Sequence, residues 1–478
     1  MRITRRTLFM GAGAGALTLL LASCTPDEPR PDPTRSATPS VTPTPVGEVP
    51  AAAAYVRTAW SKDPLARGAR SVTPAGTTSA ARETLAAPLV ERVFFAGEAT
   101  HVERPGTIVG AVRSGERAAS EVADVAGEGE RIAVVGAGAA GAAAARALLD
   151  QGADVTVIEA RRRTGGRLAT ETSDDWPVPP QTGAWILGPD DTELTSRLAV
   201  LGVGSVGVAD AVSIARDGEA EAPDGSAVQD AIDAVAEAAR DLTIADALAE
   251  AGVEQTPELE AFLASYAAFS GADPDTASSW YAPAVPPESF DVIASDVAPF
   301  IDSLLGDLDV TLSTTVSHVV YDDSGVSLRL ASGESLTFDR VILTVPLGVL
   351  QSDAIVFDPP LPFAHRGAID ELEMGAVEAI WMRFEQPFWT TEAGLWHVVG
   401  PVSDETPSPS PTPTPTPDGE AEADTTIRTW INLLPATGEP ILVGLVGGSA
   451  ARAVAELGDD DLLTLAARSL APFTDPEA

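Results

Sequence analysis

Arg131-Ile132-Ala133-Val134-Val135-Gly136-Ala137-Gly138-Ala139-Ala140-Gly141, with Asp154-Val155-Thr156-Val157-Ile158-Glu159 after it, decides the fold. Ile132 to Val135 is a continuous apolar run, as a strand buried in a parallel sheet requires. A glycine turn follows, then an alanine-rich helix from Ala139 to Gln151, then a second strand from Asp154 to Ile158. A bare G-x-G-x-x-G is weak evidence. Here it follows a strand, opens a helix and precedes an acidic residue, Glu159, at the end of the next strand. That context is a dinucleotide-binding unit. Gly136, Gly138 and Gly141, with Ala139 between them, let the backbone approach a pyrophosphate whose charge sits at the helix N-terminus. Glu159 is placed to accept hydrogen bonds from ribose hydroxyls.

The residues that follow separate FAD from NAD. Glu159-Ala160-Arg161-Arg162-Arg163-Thr164-Gly165-Gly166-Arg167 resembles the E-A-R-x-R-x-G-G-R segment of the flavin amine oxidase family. Thr315-Val316-Ser317-His318-Val319 and Val341 to Leu350 resemble its returning strands, and Ala96-Gly97-Glu98-Ala99-Thr100 with Gly106-Thr107 its closing segment. The resemblance implies bound FAD. It places Arg161 beside the ribose, Gly165 and Gly166 against the pyrophosphate, and Arg167 as its counter-charge. Val316 meets the adenine through its backbone, and Gly97 and Glu98 lie near the ribose and phosphates. Thr107 starts a helix aimed at the flavin N1–C2 carbonyl, whose dipole favours negative charge there.

The segments stand in an unusual order, because the closing one precedes the opening one. The helix expected at Asp459 to Leu470 is followed in the family by W-x-x-D-P-x-x-x-G, which here is Trp60 to Gly68. Joining Ala478 to Ala51 restores family order, and Glu121 to Glu130 becomes the new link. The chain therefore resembles a circularly permuted member; a gene assembled from two fragments is the alternative. The expected fold is α/β: a doubly wound Rossmann-like FAD-binding domain, and a substrate domain of mixed sheet and helices. The expected divisions are a signal peptide at 1–24, a Pro/Thr-rich tether at 25–50, and the displaced closing part of the FAD domain at 51–125. Next come the βαβ unit at 126–188, a mostly helical part of the substrate domain at 189–309 (with a helix from Ala227 to Leu242), and returning FAD-domain strands at 310–352. Substrate-domain strands and a helix fill 353–478, interrupted by a Pro-rich surface insertion at 403–424.

The pattern fails at the substrate. The family lysine that holds a water near flavin N5 aligns with Ala379, and Glu378 beside it faces the other way along a strand. Tyrosines that line the amine site align with Arg70, Val72 and Arg104. Arg104 beside the flavin repels an ammonium and favours an anionic group. The expected activity is oxidation of an amine or amino-acid-like C–N bond by hydride transfer to FAD. Two alternatives stand: a flavin oxidoreductase acting on a C–C bond, like desaturases or protoporphyrinogen oxidases, and a non-catalytic flavin-binding lipoprotein.

Composition sets the surroundings. The 478 residues hold 70 Asp and Glu against 30 Lys and Arg, a net charge of −40, which argues against a nucleic-acid partner. Thr4-Arg5-Arg6-Thr7-Leu8-Phe9 fits a signal for the twin-arginine export machinery, and the apolar run to Ala22 is short for a membrane span. Leu21-Ala22-Ser23-Cys24 resembles a lipobox, so Cys24 is the expected lipidation site and the body is expected outside the cytoplasm, anchored to the cell membrane. An uncleaved anchor is the alternative. Cys24 is the only cysteine, and His101, His318, His365 and His397 have no metal-ligand spacing.

Overall fold

The computed structural model describes residues 49–215, 218–223, 225–401 and 426–474. The leader with Cys24, the tether as far as residue 48 and the insertion at 403–424 lie outside the described residues. Five strands form a parallel sheet in the order Val310–Thr311, Asp154–Ile158, Arg131–Val135, Arg340–Leu343, Val93–Phe95. Every residue of Arg340–Leu343 and of Val93–Phe95 is buried, which is why these strands read as unbroken apolar runs. The strand at Val93–Phe95 thus shares a sheet with the one at Arg131–Val135, as expected.

Helices Ile108–Val125 and Ala139–Asp150 cover one face of this sheet, with Ala118, Ala119 and Val122 against Ala140, Ala144 and Leu148. Their backbones nearly touch: a Cβ at Gly115 would lie 2.1 Å from the Ala140 carbonyl oxygen. The other face packs on a four-stranded sheet of Ser335–Phe338, Gly325–Leu330, Val316–Asp322 and Val356–Asp358. The turn after Val125 is pinned by Arg340, which reaches Glu130 at 2.6 Å and the Val125 carbonyl at 2.7 Å.

A seven-stranded sheet runs Ala54–Arg57, Val377–Arg383, Ile441–Gly447, Thr429–Asn432, Leu395–Val399, Ala211–Ala215, Gly218–Glu219. Helices Gly448–Glu456 and Asp459–Leu470 pack on one face, around Trp396 and Trp430. Helix Pro257–Ser270 lies on the other, so close that a Cβ at Gly447 would meet the Ala267 carbonyl at 1.8 Å. Arg57 bonds the Leu457 and Val454 carbonyls, and Val49 and Ala52 pack in one cluster with Leu470 and Phe473. The first described residues run along the edge strand, where the Ala53 N–H bonds the Arg383 carbonyl, and the last lie against Trp396, on which Phe473 stacks; Ala478 lies outside the described residues.

Four expectations change. The stretch expected to be helical holds strands at Ser205–Val208, Ala211–Ala215 and Phe290–Ile293, because short apolar runs carry no readable period. The helix expected to run to Leu242 ends at Val235; Asp241 accepts bonds from the Gly76 and Trp280 N–H groups and turns the chain. Ala54–Arg57 pairs with the substrate-domain strand Val377–Arg383, outside the FAD sheet. Val356–Asp358 pairs with Val316–Asp322, so the returning FAD-side strands extend past residue 352.

Candidate active site

The carboxyl ends of the parallel strands open into a cleft. Gly136, Gly138 and Ala139 line it, and the helix beginning at Ala139 has no side-chain cap, so its first N–H groups face the cleft. Each glycine has its own reason. A Cβ at Gly141 would lie 1.8 Å from the Gly136 carbonyl, so this glycine allows the helix to pack on the turn. A Cβ at Gly138 would approach the protein no closer than 3.8 Å; the room there belongs to the cleft. That space, beside uncapped N–H groups, fits a pyrophosphate. Gly165 and Gly166, at φ of +92° and +58°, close the opposite wall against Gly138.

Glu159 is buried at the strand end, held by the N–H groups of Ala137 at 2.8 Å and Arg161 at 2.7 Å. Arg161 pairs with Asp63 at 2.8 Å and lies over the Trp60 ring. Val316 lines the cleft beside Thr314 and Thr315. Gly97, Glu98 and Thr107 line it from the segment that comes early in the chain. Thr107 caps its helix by accepting from the Gly110 N–H at 2.9 Å. All the expected cofactor residues but Gly141 line the cleft, and Gly141 lies directly behind its wall.

Glu98 is the electrostatic centre. Its buried carboxylate accepts bonds from Arg167 at 2.8 Å, the Ser71 hydroxyl at 2.6 Å and the Gly106 N–H at 2.7 Å. Burial alone would raise its pKa, but Arg167, Ser71 and Arg82 outweigh burial and hold it at about 2. Arg167 therefore spends part of its charge on Glu98, and the uncapped helix shares the work of holding a phosphate. Pro64, Leu65, Ala69 and Thr344 also line the cleft and were not expected. The W-x-x-D-P-x-x-x-G stretch holds the first two, and Ala69 follows it directly.

Ala184 lines the cleft, and the ring of the next residue, Trp185, lies 4.8 Å from that of Trp381 on the seven-stranded sheet. Ala379 lies two residues from Trp381 in the same apolar cluster. Glu378 faces away and takes bonds from Thr58, Trp60 and Ser61, as its strand parity requires. Arg104 forms an ion pair with Asp191 and does not line the cleft, so the expected role of its charge beside a substrate is not where the structure puts it. Arg70 differs. It donates to the Phe269 carbonyl at 2.8 Å and the Pro105 carbonyl at 3.4 Å, forms no ion pair among the described residues, and its Nε finds no partner there. It abuts Gly106, a cleft residue. No group of His, Cys, Asp and Glu among the described residues is arranged to hold a metal.

The flavin containing amine oxidoreductase model matches residues 28–123 and 293–478, and an NAD(P)-binding Rossmann-like domain matches residues 134–199. The chain is similar to polyamine oxidase 4 of Oryza sativa subsp. japonica, 28% identical over 368 residues, 70% of this chain and 71% of that protein. It is also similar to the mouse lysine-specific histone demethylase 1B, 28% identical over 295 residues, 55% of this chain and 35% of that one. Among solved structures it resembles putrescine oxidase bound to putrescine, with a TM-score of 0.55 and 22% identity over 73% of this chain and 82% of that one. Cyclohexylamine oxidase from Brevibacterium oxydans gives a TM-score of 0.55 at 20% identity, covering 70% and 79%.

Proposed function

The chain belongs to the flavin-containing amine oxidoreductases, and from that membership we propose that it oxidises the C–N bond of an amine or amino-acid-like substrate. FAD, when bound, supplies the two-electron acceptor. The chain supplies the rest. Gly136, Gly138 and the helix behind them hold the pyrophosphate, Glu159 the ribose hydroxyls, and Glu98 with Arg167 the middle of the cofactor. The Trp185–Trp381 wall excludes water from the site where the substrate docks.

The observation that carries the reading is the junction of the cleft, through Ala184 and Trp185, with the Ala379–Trp381 face of the second sheet. Two features refine it. Arg70, without an ion pair among the described residues and abutting Gly106, supports a substrate whose amine neighbours a carboxylate. Ala379 brings no charge where the family lysine would stand, which supports an electron acceptor other than oxygen. The test is anaerobic: purified protein mixed with a panel of amines and amino acids should lose its flavin absorbance with at least one of them.

The permuted order is part of the same proposal. It is supported by the shared sheet of Val93–Phe95 and Arg131–Val135, and by the pairing of Ala54–Arg57 with Val377–Arg383 from late in the chain. Location rests on sequence alone: export by the twin-arginine machinery and a lipid on Cys24. No helix among the described residues is long and apolar enough to cross a membrane. Cys24→Ala should move the protein from the membrane fraction to the soluble one, and unchanged fractionation would rule out the lipid anchor.

A further inference from the structure

Three buried polar side chains stand in one row across the seven-stranded sheet. His397 is in register with Thr429 on one neighbouring strand and with Ser213 on the other. Residues paired across strands share a face. Thr429 is in register with Leu445 in turn, and Leu445 with Ala379. The row therefore lies on the face of Ala379 and Trp381, and Trp381 packs on Trp185, which follows the cleft residue Ala184 in the chain.

Ser213, His397 and Thr429 are 4%, 7% and 1% exposed. Ser213 Oγ, His397 Nδ1 and Thr429 Oγ1 have no hydrogen-bond partner among the described residues. Leaving one such group buried and unsatisfied costs roughly 1–3 kcal/mol. Their neighbours on this face are apolar, among them Leu395, Ile431 and Leu445. A chain that places three of these costs side by side, on the sheet face that carries Ala379, keeps them for a ligand that supplies the missing bonds.

We propose that Ser213, His397 and Thr429 form the far end of the substrate site and take a neutral hydrogen-bonding group, a carboxamide or hydroxyl, at the tail of the amine. This rests on the amine-oxidation reading above. The chemistry sets the class. Hydroxyls both donate and accept, and a neutral imidazole nitrogen does one or the other by tautomer, so the row can serve both halves of an amide. Burial pushes His397 down to about 4, so it is uncharged at neutral pH. Glu378, the nearest carboxylate on the Ala379 strand, faces the other side and is fully engaged by Thr58, Trp60 and Ser61. A second ammonium would thus lose its water without gaining a counter-charge. Two strand spacings separate Ala379 from Thr429, roughly 10 Å, which sets the tail length.

The test compares ω-amino-octanamide, octylamine and diaminooctane as reductants of the FAD-loaded protein. The amide should show kcat/KM about tenfold or more above octylamine, and the diamine no advantage. Thr429→Val and His397→Leu should each erase the amide's advantage over octylamine, with the unfolding midpoint held or raised. An amide no better than octylamine, or an advantage that survives both substitutions, overturns the proposal. If none of the three reduces the flavin, the amine-oxidation reading fails for these substrates. The row is then judged by binding of ω-amino-octanamide to the FAD-loaded protein, read from the flavin spectrum. Binding that Thr429→Val weakens about tenfold sustains the row, and absence of binding overturns it.

Discussion

Arg70 and Glu98 show how far single residues carry the account. Arg70 has carbonyl partners only, and burial lowers its pKa, so a carboxylate beside it gains a charged bond in a site that sheds water. Arg70→Leu should therefore cost an amino acid about tenfold or more in kcat/KM and spare the matching monoamine, measured by flavin reduction. Equal losses on both would remove the anion from the proposal. Glu98 makes a claim about pH. Its pKa is held at about 2, below the 4.5 of an unperturbed carboxyl, so its contribution to stability is present above 4.5 and is lost as pH falls toward 2. By linkage that contribution is on the order of 3 kcal/mol. Glu98→Gln should lower the urea midpoint at neutral pH and flatten the acid limb between those two values. An unchanged acid limb would mean that Arg167 and Ser71 do not hold the charge. Neither pairing was legible in the sequence. Arg104 reads as a free cation until the fold brings Asp191 to it, and Arg161 shows no sign of Asp63, which lies far away in the chain.

At the scale of elements, the glycine turn was readable and the register of the sheets was not. The run Ile132 to Val135, the turn and the helix from Ala139 all announce themselves locally, because a buried parallel strand has no polar face and the turn needs residues without a Cβ. The helix at Asp459–Leu470 was equally plain. Strands at Ser205–Val208 and Ala211–Ala215 were not, since short apolar runs fit either period. The row of Ser213, His397 and Thr429 exists only through register, which no single strand encodes. The turn makes a sharp prediction. A side chain at Gly138 meets little protein, so Gly138→Val should leave a folded protein that no longer holds FAD, seen as lost colour with a retained circular-dichroism spectrum. At Gly141 a Cβ would strike the Gly136 carbonyl, so Gly141→Val should cost folding itself, by several kcal/mol. Identical outcomes at both positions would refute this division of roles.

The whole molecule joins pieces that lie at opposite ends of the chain. Val93–Phe95 completes a sheet begun at Arg131–Val135, and Ala54–Arg57 completes one whose other strands come after Ala211. Motif order in the sequence foretold the first of these; the second needed the register of Tyr55 with Met382. If the order is a permutation, it should be reversible. Joining residue 474 to residue 49 by a flexible linker long enough to span the two ends, and opening the chain at the turn of Gly127 to Glu130, should give a folded protein that binds FAD as before, because Gly129 faces open space and no strand is cut. Failure of that variant to fold would show that the present order is needed by this fold. The central claim is the chemistry, and one measurement reaches it most directly: the visible spectrum of the purified protein during anaerobic titration with amines and amino acids. The account predicts a yellow protein that bleaches, with a carboxylate-bearing amine ahead of its decarboxylated counterpart. A colourless protein that cannot be loaded with FAD, or a flavin that no amine or amino acid reduces, would contradict it.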